Sequence, residues 1–198
     1  AASDVYKRQS GKMGFALAEA CAERGAEVTL VAGPVSLKTH HPAIKRIDVE
    51  SAGEMYQAAM TAFPSSDAAI LCAAVADYRP ENASEQKIKR ETEREMTLHL
   101  VPNPDIAASL GAIKREGQVM VGFALETNDE ATHAEGKLKR KNLDFIVLNS
   151  LRDQGAGFRC DTNKITIIDN AGGVTSYPLK TKREVACDIV NKLVTLLK

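Results

Sequence analysis

The chain has 198 residues, 44% of them hydrophobic and 26% charged, and its 26 Lys and Arg balance its 26 Asp and Glu. That is enough chain for one sizeable core with the composition of an ordinary soluble globular domain, and the lack of a global basic field argues against nucleic acid as the main ligand. No apolar run approaches the length of a membrane span, and no basic start with a hydrophobic core and cleavage site is present, so a cytoplasmic protein without a membrane partner is expected.

Residues 1–9 (AASDVYKRQ) show neither strand alternation nor a helical stripe and are read as a truncated or foreign leader, with residues 10–198 as a single domain. From Ser10 the chain becomes strongly helical: Met13, Leu17, Ala20, Cys21 and Arg24 recur at three- and four-residue steps, and Gly25 stops the helix. Residues 27–31 (EVTLV) read as a short buried strand and residues 44–49 as another. Ser51 is placed to cap the next helix, with Glu54 as its capping-box partner, and this helix runs through Met55, Ala59 and Phe63.

Residues 68–72 (AAILC) form an apolar run suited to a buried strand. The small residues Ala73 to Ala76 follow it, and Asp77 then places a carboxylate at the strand mouth. Beyond Pro80 a polar flap carries Lys87, Lys89 and Arg90. Residues 96–101 alternate like a strand. Asn103 is expected to cap a helix with Pro104 at its first position and Asp105 in its first turn. Residues 119–124 and 145–148 read as two further core strands, separated by a helix over about 129–141. Strands at 164–168 and 174–177 flank an Asn-Ala-Gly-Gly turn, a hairpin that could serve as a dimer contact, and a final helix runs from Lys182.

Alternating helices and strands predict a Rossmann-like doubly wound α/β fold, a mostly parallel sheet with helices on both faces and a C-terminal β-hairpin. In such folds ligands sit beyond the carboxyl ends of the strands. Asp77, Phe123, Asn149 and the helix start at Asn103 to Asp105 converge there. The helix starts at residues 10–14 and 103–107 offer free N–H groups to an anion, though most helix starts bind only water. Lys137 and Lys141 are four apart on one side of a helix and can clamp one anion together, while Lys139 reads as solvated. Phe123, between Gly122 and Ala124, is more often core than a stacking platform. The four histidines make no triad. The cysteines Cys21, Cys72, Cys160 and Cys187 lack zinc-type spacing, and three of them fall in apolar patterns as buried thiols.

The ordered stretches SGKMG, TLVAGPVSL, CAAVADYRP, KIKR, NPDI, GFALETN and KNLDFIVLN, with Phe158, Asp161 and Asn163 behind them, resemble the phosphopantothenoylcysteine synthetases (phosphopantothenate-cysteine ligases) of coenzyme A biosynthesis. The resemblance covers residues 10–198. It implies a homodimer in which the carboxylate of 4'-phosphopantothenate attacks the α-phosphate of CTP, with Mg²⁺ on the phosphates, and the amine of cysteine then displaces CMP. By the same resemblance Leu71, Cys72 and Ala73 line the nucleotide site, Asp77 holds the nucleotide, and Lys87 contacts it and supports turnover. Pro104, Asp105, Ile106 and Ala107 form the nucleotide-binding helix start, Phe123 lies beside the nucleotide, and Lys137 and Lys141 are distal cations; the metal ligands are unassigned. Bacterial relatives are usually fused to a flavin-dependent decarboxylase.

At the front the pattern departs. Aligned on SGKMG, Lys7 stands where the family has the asparagine needed for the acyl-cytidylate intermediate, and Gln9 replaces a serine. A catalytically impaired nucleotide-binding homologue is therefore the alternative, ahead of a nicotinamide-dependent oxidoreductase, for which the chain lacks a G-x-G-x-x-G motif after a strand.

Overall fold

The computed structural model describes residues 10–82, 97–126, 130–150 and 161–197. In chain order it contains α1 (Lys12–Ala22), β1 (Val28–Ala32), β2 (Ile44–Asp48), α2 (Ala52–Ala62), a 3-10 turn at Phe63–Ser65, β3 (Ala68–Leu71), β4 (Tyr78–Pro80) and β5 (Leu100–Pro102). It continues with α3 (Ile106–Ile113), β6 (Val119–Glu126), α4 (Glu130–Arg140), β7 (Phe145–Ser150), β8 (Thr162–Asn163), β9 (Ile165–Asp169), β10 (Val174–Ser176), β11 (Lys180–Thr181) and α5 (Lys182–Leu196).

The central sheet has the order β10-β9-β7-β6-β3. Its strands β3, β6 and β7 run parallel, while β9 and β10 return antiparallel at one edge as the expected hairpin. Strand β1 pairs in parallel with β2 as a separate two-stranded unit. Period-two alternation sorts the side chains onto two faces. Val119, Val121, Phe145, Val147, Ile165 and Ile167 pack beneath α1 and α5, which contribute Met13, Leu17, Val185 and Ile189. Met120, Ile146, Leu148 and Ile168 point the other way, against Phe63, Leu110 of α3, and Ala134 and Leu138 of α4. This is the Rossmann-like arrangement, helices on both faces, that the element order predicts.

Local chemistry sets the helix ends. Ser51 accepts the Glu54 N–H at 3.1 Å while the Glu54 carboxylate takes the Glu50 N–H at 2.9 Å, a reciprocal cap close to the expected one. Helix α5 has a capping box the sequence reading did not anticipate, with Thr181 and Glu184 exchanging bonds. Where β6 passes Leu143, a Cβ on Gly122 would lie 2.6 Å from a Leu143 methyl, so a larger residue there must push that methyl aside.

Three expectations need correction. The strand expected over 96–101 is only Leu100–Pro102 within the described residues, because it pairs with an unanticipated three-residue partner, Tyr78–Pro80. Helix α3 starts at Ile106 with Asp105 as its cap, not at Pro104 with Asn103 as its cap, because the Asn103 amide is engaged by Ala76 and Arg79 while the Asp105 carboxylate faces Ala108 N–H. Cys21, Cys72 and Cys187, expected as buried thiols, are free thiols that keep some exposed surface at the margin of the core cluster, although the Cys72 sulfur itself is enclosed; Cys160 lies outside the described residues.

Candidate functional site

The carboxyl end of β3 opens the site. Leu71 is its last residue, Cys72 follows, and Ala73 and Ala74 are exposed coil, so a ligand can approach that backbone without meeting a large side chain. Burial pushes the Cys72 thiol up to about 12, with the Lys182 ammonium pulling weakly the other way, which makes it a wall and not a nucleophile. Asp77 is exposed at the bend into β4.

Asn103 joins this strand exit to α3. Its N–H donates to the Asp77 carbonyl at 2.8 Å, and its Nδ2 donates to the Ala76 carbonyl at 2.9 Å. Arg79 then donates to Asn103 Oδ1 at 3.1 Å and to the Pro102 carbonyl at 2.9 Å. Two stretches separated by more than 20 residues thereby become one rim, with Pro104, Asp105, Ile106 and Ala107 directly beyond it. Asp105 Oδ1 accepts the Ala108 N–H at 3.0 Å, and Lys141 Nζ lies 3.0 Å from Asp105 Oδ2. Partial burial works against the Asp105 charge, but the Ala108 N–H and the Lys141 ammonium together outweigh it and hold the carboxyl below its ordinary range.

Phe123 is half-buried on β6, packed against the larger core cluster, one residue beyond Gly122, which pairs with Leu71. It lies level with Cys72, flanking the same mouth. Lys137 sits one turn before Lys141 on α4, partly buried. Lys87, with the rest of the basic flap, and Lys7 lie outside the described residues.

A second polar group lies at the same end of the sheet. At the start of α1, Gly11 has φ 75°, faces Val35 and offers no capping side chain, and the Lys12 N–H donates to Ser10 Oγ at 3.4 Å. Lys12 Nζ pairs with Asp161 Oδ1 at 2.6 Å, which holds the exposed Asp161 carboxyl below its usual range. Beside them Asn163 Nδ2 donates to Asn149 Oδ1 at 3.2 Å. Sequence reasoning placed Asn149 here but missed the Lys12 pair, whose partners stand 149 residues apart. It also missed Arg79 and Asn142; an asparagine directly after a Lys- and Arg-rich helix end is a recognised stop signal and could have flagged the latter.

A cleft of roughly 290 Å³ lies at the opposite, amino end of the sheet, lined by Lys114, Arg115, Glu116, Gly117, Gln118, Asn142 and Asp144. Its cations are engaged by protein acceptors, Lys114 by Asp144 and Arg115 by the Pro64 carbonyl, so it is a structural cluster. Among the described residues no three His, Cys, Asp or Glu gather into a metal-binding group, and no helix is long and apolar enough to cross a membrane.

Residues 5–197 match the family described as DNA/pantothenate metabolism flavoprotein C-terminal domain. The chain is 57% identical over 193 residues to a protein named cysteine/cysteine sulfinic acid decarboxylase from an unknown prokaryotic organism, covering 98% of the chain and 54% of that protein. It is 45% identical over 194 residues to the coenzyme A biosynthesis bifunctional protein CoaBC of Vibrio parahaemolyticus, covering 98% of the chain and 48% of that protein. A crystal structure of the C-terminal domain of CoaBC is similar with a TM-score of 0.79 at 36% identity, covering 95% of the chain and 83% of that structure. The chain spans about half the length of the curated relatives it matches.

Proposed function

The chain belongs to the DNA/pantothenate metabolism flavoprotein C-terminal domain family, that of the CoaBC C-terminal domain, and we propose that it is a cytoplasmic CTP-dependent phosphopantothenate-cysteine ligase of coenzyme A biosynthesis. The observation that carries this reading is the rim in which Asn103 ties the open strand exit at Ala76 and Asp77 to the capped start of α3 and its Lys141 partner. Such a rim at the carboxyl ends of parallel strands suits a nucleotide.

In this reading a carboxylate oxygen of 4'-phosphopantothenate attacks the α-phosphorus of CTP and pyrophosphate leaves. The cysteine amine then attacks the acyl carbon, CMP departs, and the amine loses a proton as the amide forms. The chain's contribution is positioning and charge neutralisation. Leu71, Cys72, Ala73 and Phe123 shape the nucleotide mouth, Asp77 and residues 104–107 orient the nucleotide, and Lys137 and Lys141 supply distal positive charge. Lys87 acts on the phosphates and on turnover of the acylated intermediate. Mg²⁺, when bound, would neutralise charge on the phosphates. The start of α1 with Lys12 is the proposed seat of the pantothenate phosphate, and an unaltered affinity for phosphopantothenate in Lys12→Ala would count against it.

The homodimer is proposed through the β4–β5 ribbon. Its register puts Tyr78, Pro80, Leu100 and Pro102 on one face, and Tyr78 and Leu100 are 57% and 55% exposed. A dimer mass by light scattering, lost in Leu100→Lys, is the expected result; a wild-type monomer sinks this assignment. The flavin-dependent decarboxylase implied by the resemblance is proposed for the part of the longer relatives beyond this match.

The test is a coupled pyrophosphate-release assay with CTP, 4'-phosphopantothenate and cysteine, with the amide product identified by mass. Product that depends on CTP and falls sharply in Lys87→Gln is expected. CTP binding without product favours the impaired homologue signalled by Lys7, and protection by NAD(H) but not by CTP in a thermal shift overturns the nucleotide assignment.

A further inference from the structure

Asn142 is the only non-glycine residue with a positive φ, 50°, among the described residues. It stands just past the last turn of α4, where its N–H donates to the Lys139 carbonyl at 3.3 Å and the Leu143 N–H donates to the Leu138 carbonyl at 3.0 Å. Those two bonds end a helix on a left-handed residue, a job glycine does with less strain than asparagine. What asparagine adds is its amide: Nδ2 donates to the Gly111 carbonyl of α3 at 3.0 Å.

Gly111 is itself pressed against α4. A Cβ there would stand 2.2 Å from the Lys141 carbonyl oxygen and 3.2 Å from Asn142 Cβ. The backbone of Lys141 is therefore seated on α3 beside Gly111. Asp105 caps that helix six positions earlier, about 9 Å along its axis, and the Lys141 side chain reaches back to pair with it at 3.0 Å. Lys114 Nζ holds the Asn142 carbonyl from the far side at 3.1 Å, so the residue is bonded through both backbone and side chain.

We infer that Asn142, through its side-chain bond to Gly111, is a positioning residue that sets where the Lys141 ammonium stands relative to the α3 start. This rests on the nucleotide reading of Lys141 above. A plain helix stop needs only the left-handed backbone, which Asn142→Gly preserves; the amide bond to α3 is what that substitution removes.

The experiment is CTP titration by calorimetry on the full chain for wild type, Asn142→Gly, Lys141→Met and the double variant, with unfolding midpoints measured without ligand. Asn142→Gly is expected to fold and to bind CTP roughly fivefold more weakly. In the Lys141→Met background the same change is expected to alter affinity no further, since both remove one interaction. Asn142→Asp, which can keep the turn but turns the donor into an acceptor facing a carbonyl, is expected to weaken binding in the same way and serves if the glycine variant is unstable. Wild-type affinity in Asn142→Gly, or an undiminished effect in the Lys141→Met background, overturns the positioning role alone. Unchanged affinity in Lys141→Met overturns the nucleotide reading of that lysine, and the positioning role with it.

Discussion

The Lys141 ammonium lies 3.0 Å from Asp105 Oδ2, so the cation at the end of α4 is neutralised by the residue that caps α3. Any anion drawn to Lys141 must compete with that carboxylate, which makes Asp105 both a cap and a rival.

The two roles separate by substitution. Asp105→Asn keeps a good capping oxygen but removes the rival charge, so CTP affinity should rise a few-fold with little change in unfolding midpoint. Asp105→Ala removes the cap as well and should lower stability by about 1 kcal/mol. Calorimetry at two salt concentrations with parallel thermal melts reads both; weaker CTP binding in Asp105→Asn would contradict the rivalry.

At the amino end of the sheet, Asp144 Oδ2 accepts from Lys114 Nζ and from the Met120 N–H, each at 2.6 Å, with the Lys114 side chain only 10% exposed. Asp144→Ala removes the charge partner of a mostly buried ammonium, leaving Lys114 the Asn142 carbonyl, and strands the Met120 N–H, and should cost about 3 kcal/mol. Urea unfolding measures the loss, and an unfolding free energy equal to that of wild type would contradict it.

Gly111 and Gly122 both exclude side chains, but against different obstacles. Gly111→Ala meets the Lys141 carbonyl at 2.2 Å, backbone that cannot step aside, whereas Gly122→Ala meets the tip of Leu143 at 2.6 Å. Alanine gains about 1 kcal/mol of helix propensity at position 111, yet overpacking of about 1–3 kcal/mol opposes it. Gly111→Ala should therefore be the less stable of the two proteins and should also weaken CTP binding; chemical denaturation curves for the pair settle the order.

Asp169 accepts from Lys192 Nζ at 2.9 Å and from the Gly173 and Ala171 N–H groups of the hairpin turn at 2.8 and 3.1 Å. The Lys192 ammonium first, then the Gly173 N–H, hold its carboxyl below the usual range. A depressed folded value means the stabilisation is fully present above the unfolded value of about 3.9 and fades as pH falls through the folded one. Asp169→Asn should thus be destabilised by a constant amount from pH 7 to about 5, with the gap to wild type closing below about pH 4. Melts across that range check it, and a gap that widens on acidification would contradict it.

The sequence made β3, β6 and β7 readable because each is a continuous apolar run, and the Ser51 and Glu54 cap because its signal is four residues long. The β4–β5 ribbon was illegible: Tyr78-Arg79-Pro80 ends in a proline, reads as a turn, and becomes a strand only through a partner over 20 residues away. The cap of α3 was ambiguous because Asn103 and Asp105 are both good caps; the choice is made by Ala76 and Arg79, which occupy the asparagine. Within the site, Asp77, Phe123 and the α3 start stood where a doubly wound fold puts ligands. The bonds from Lys141 to Asp105 and from Lys12 to Asp161 join distant stretches with no local pattern to announce them.

The ties among Lys114, Asp144, Gln118 and the carbonyls of Phe63 and Ser66 lie at the foot of the strands, away from the Asn103 rim. Glu116 and Gly117 are exposed on the turn between them, with Gly117 at φ 85°. That turn is where a fluorophore, an affinity handle or new chain ends can be introduced without approaching the proposed site. Efforts to alter the proposed nucleotide preference belong at the other pole, on the exposed exit of β3 at residues 73–77, with the Asn103 tie and the Asp105 cap left as they stand.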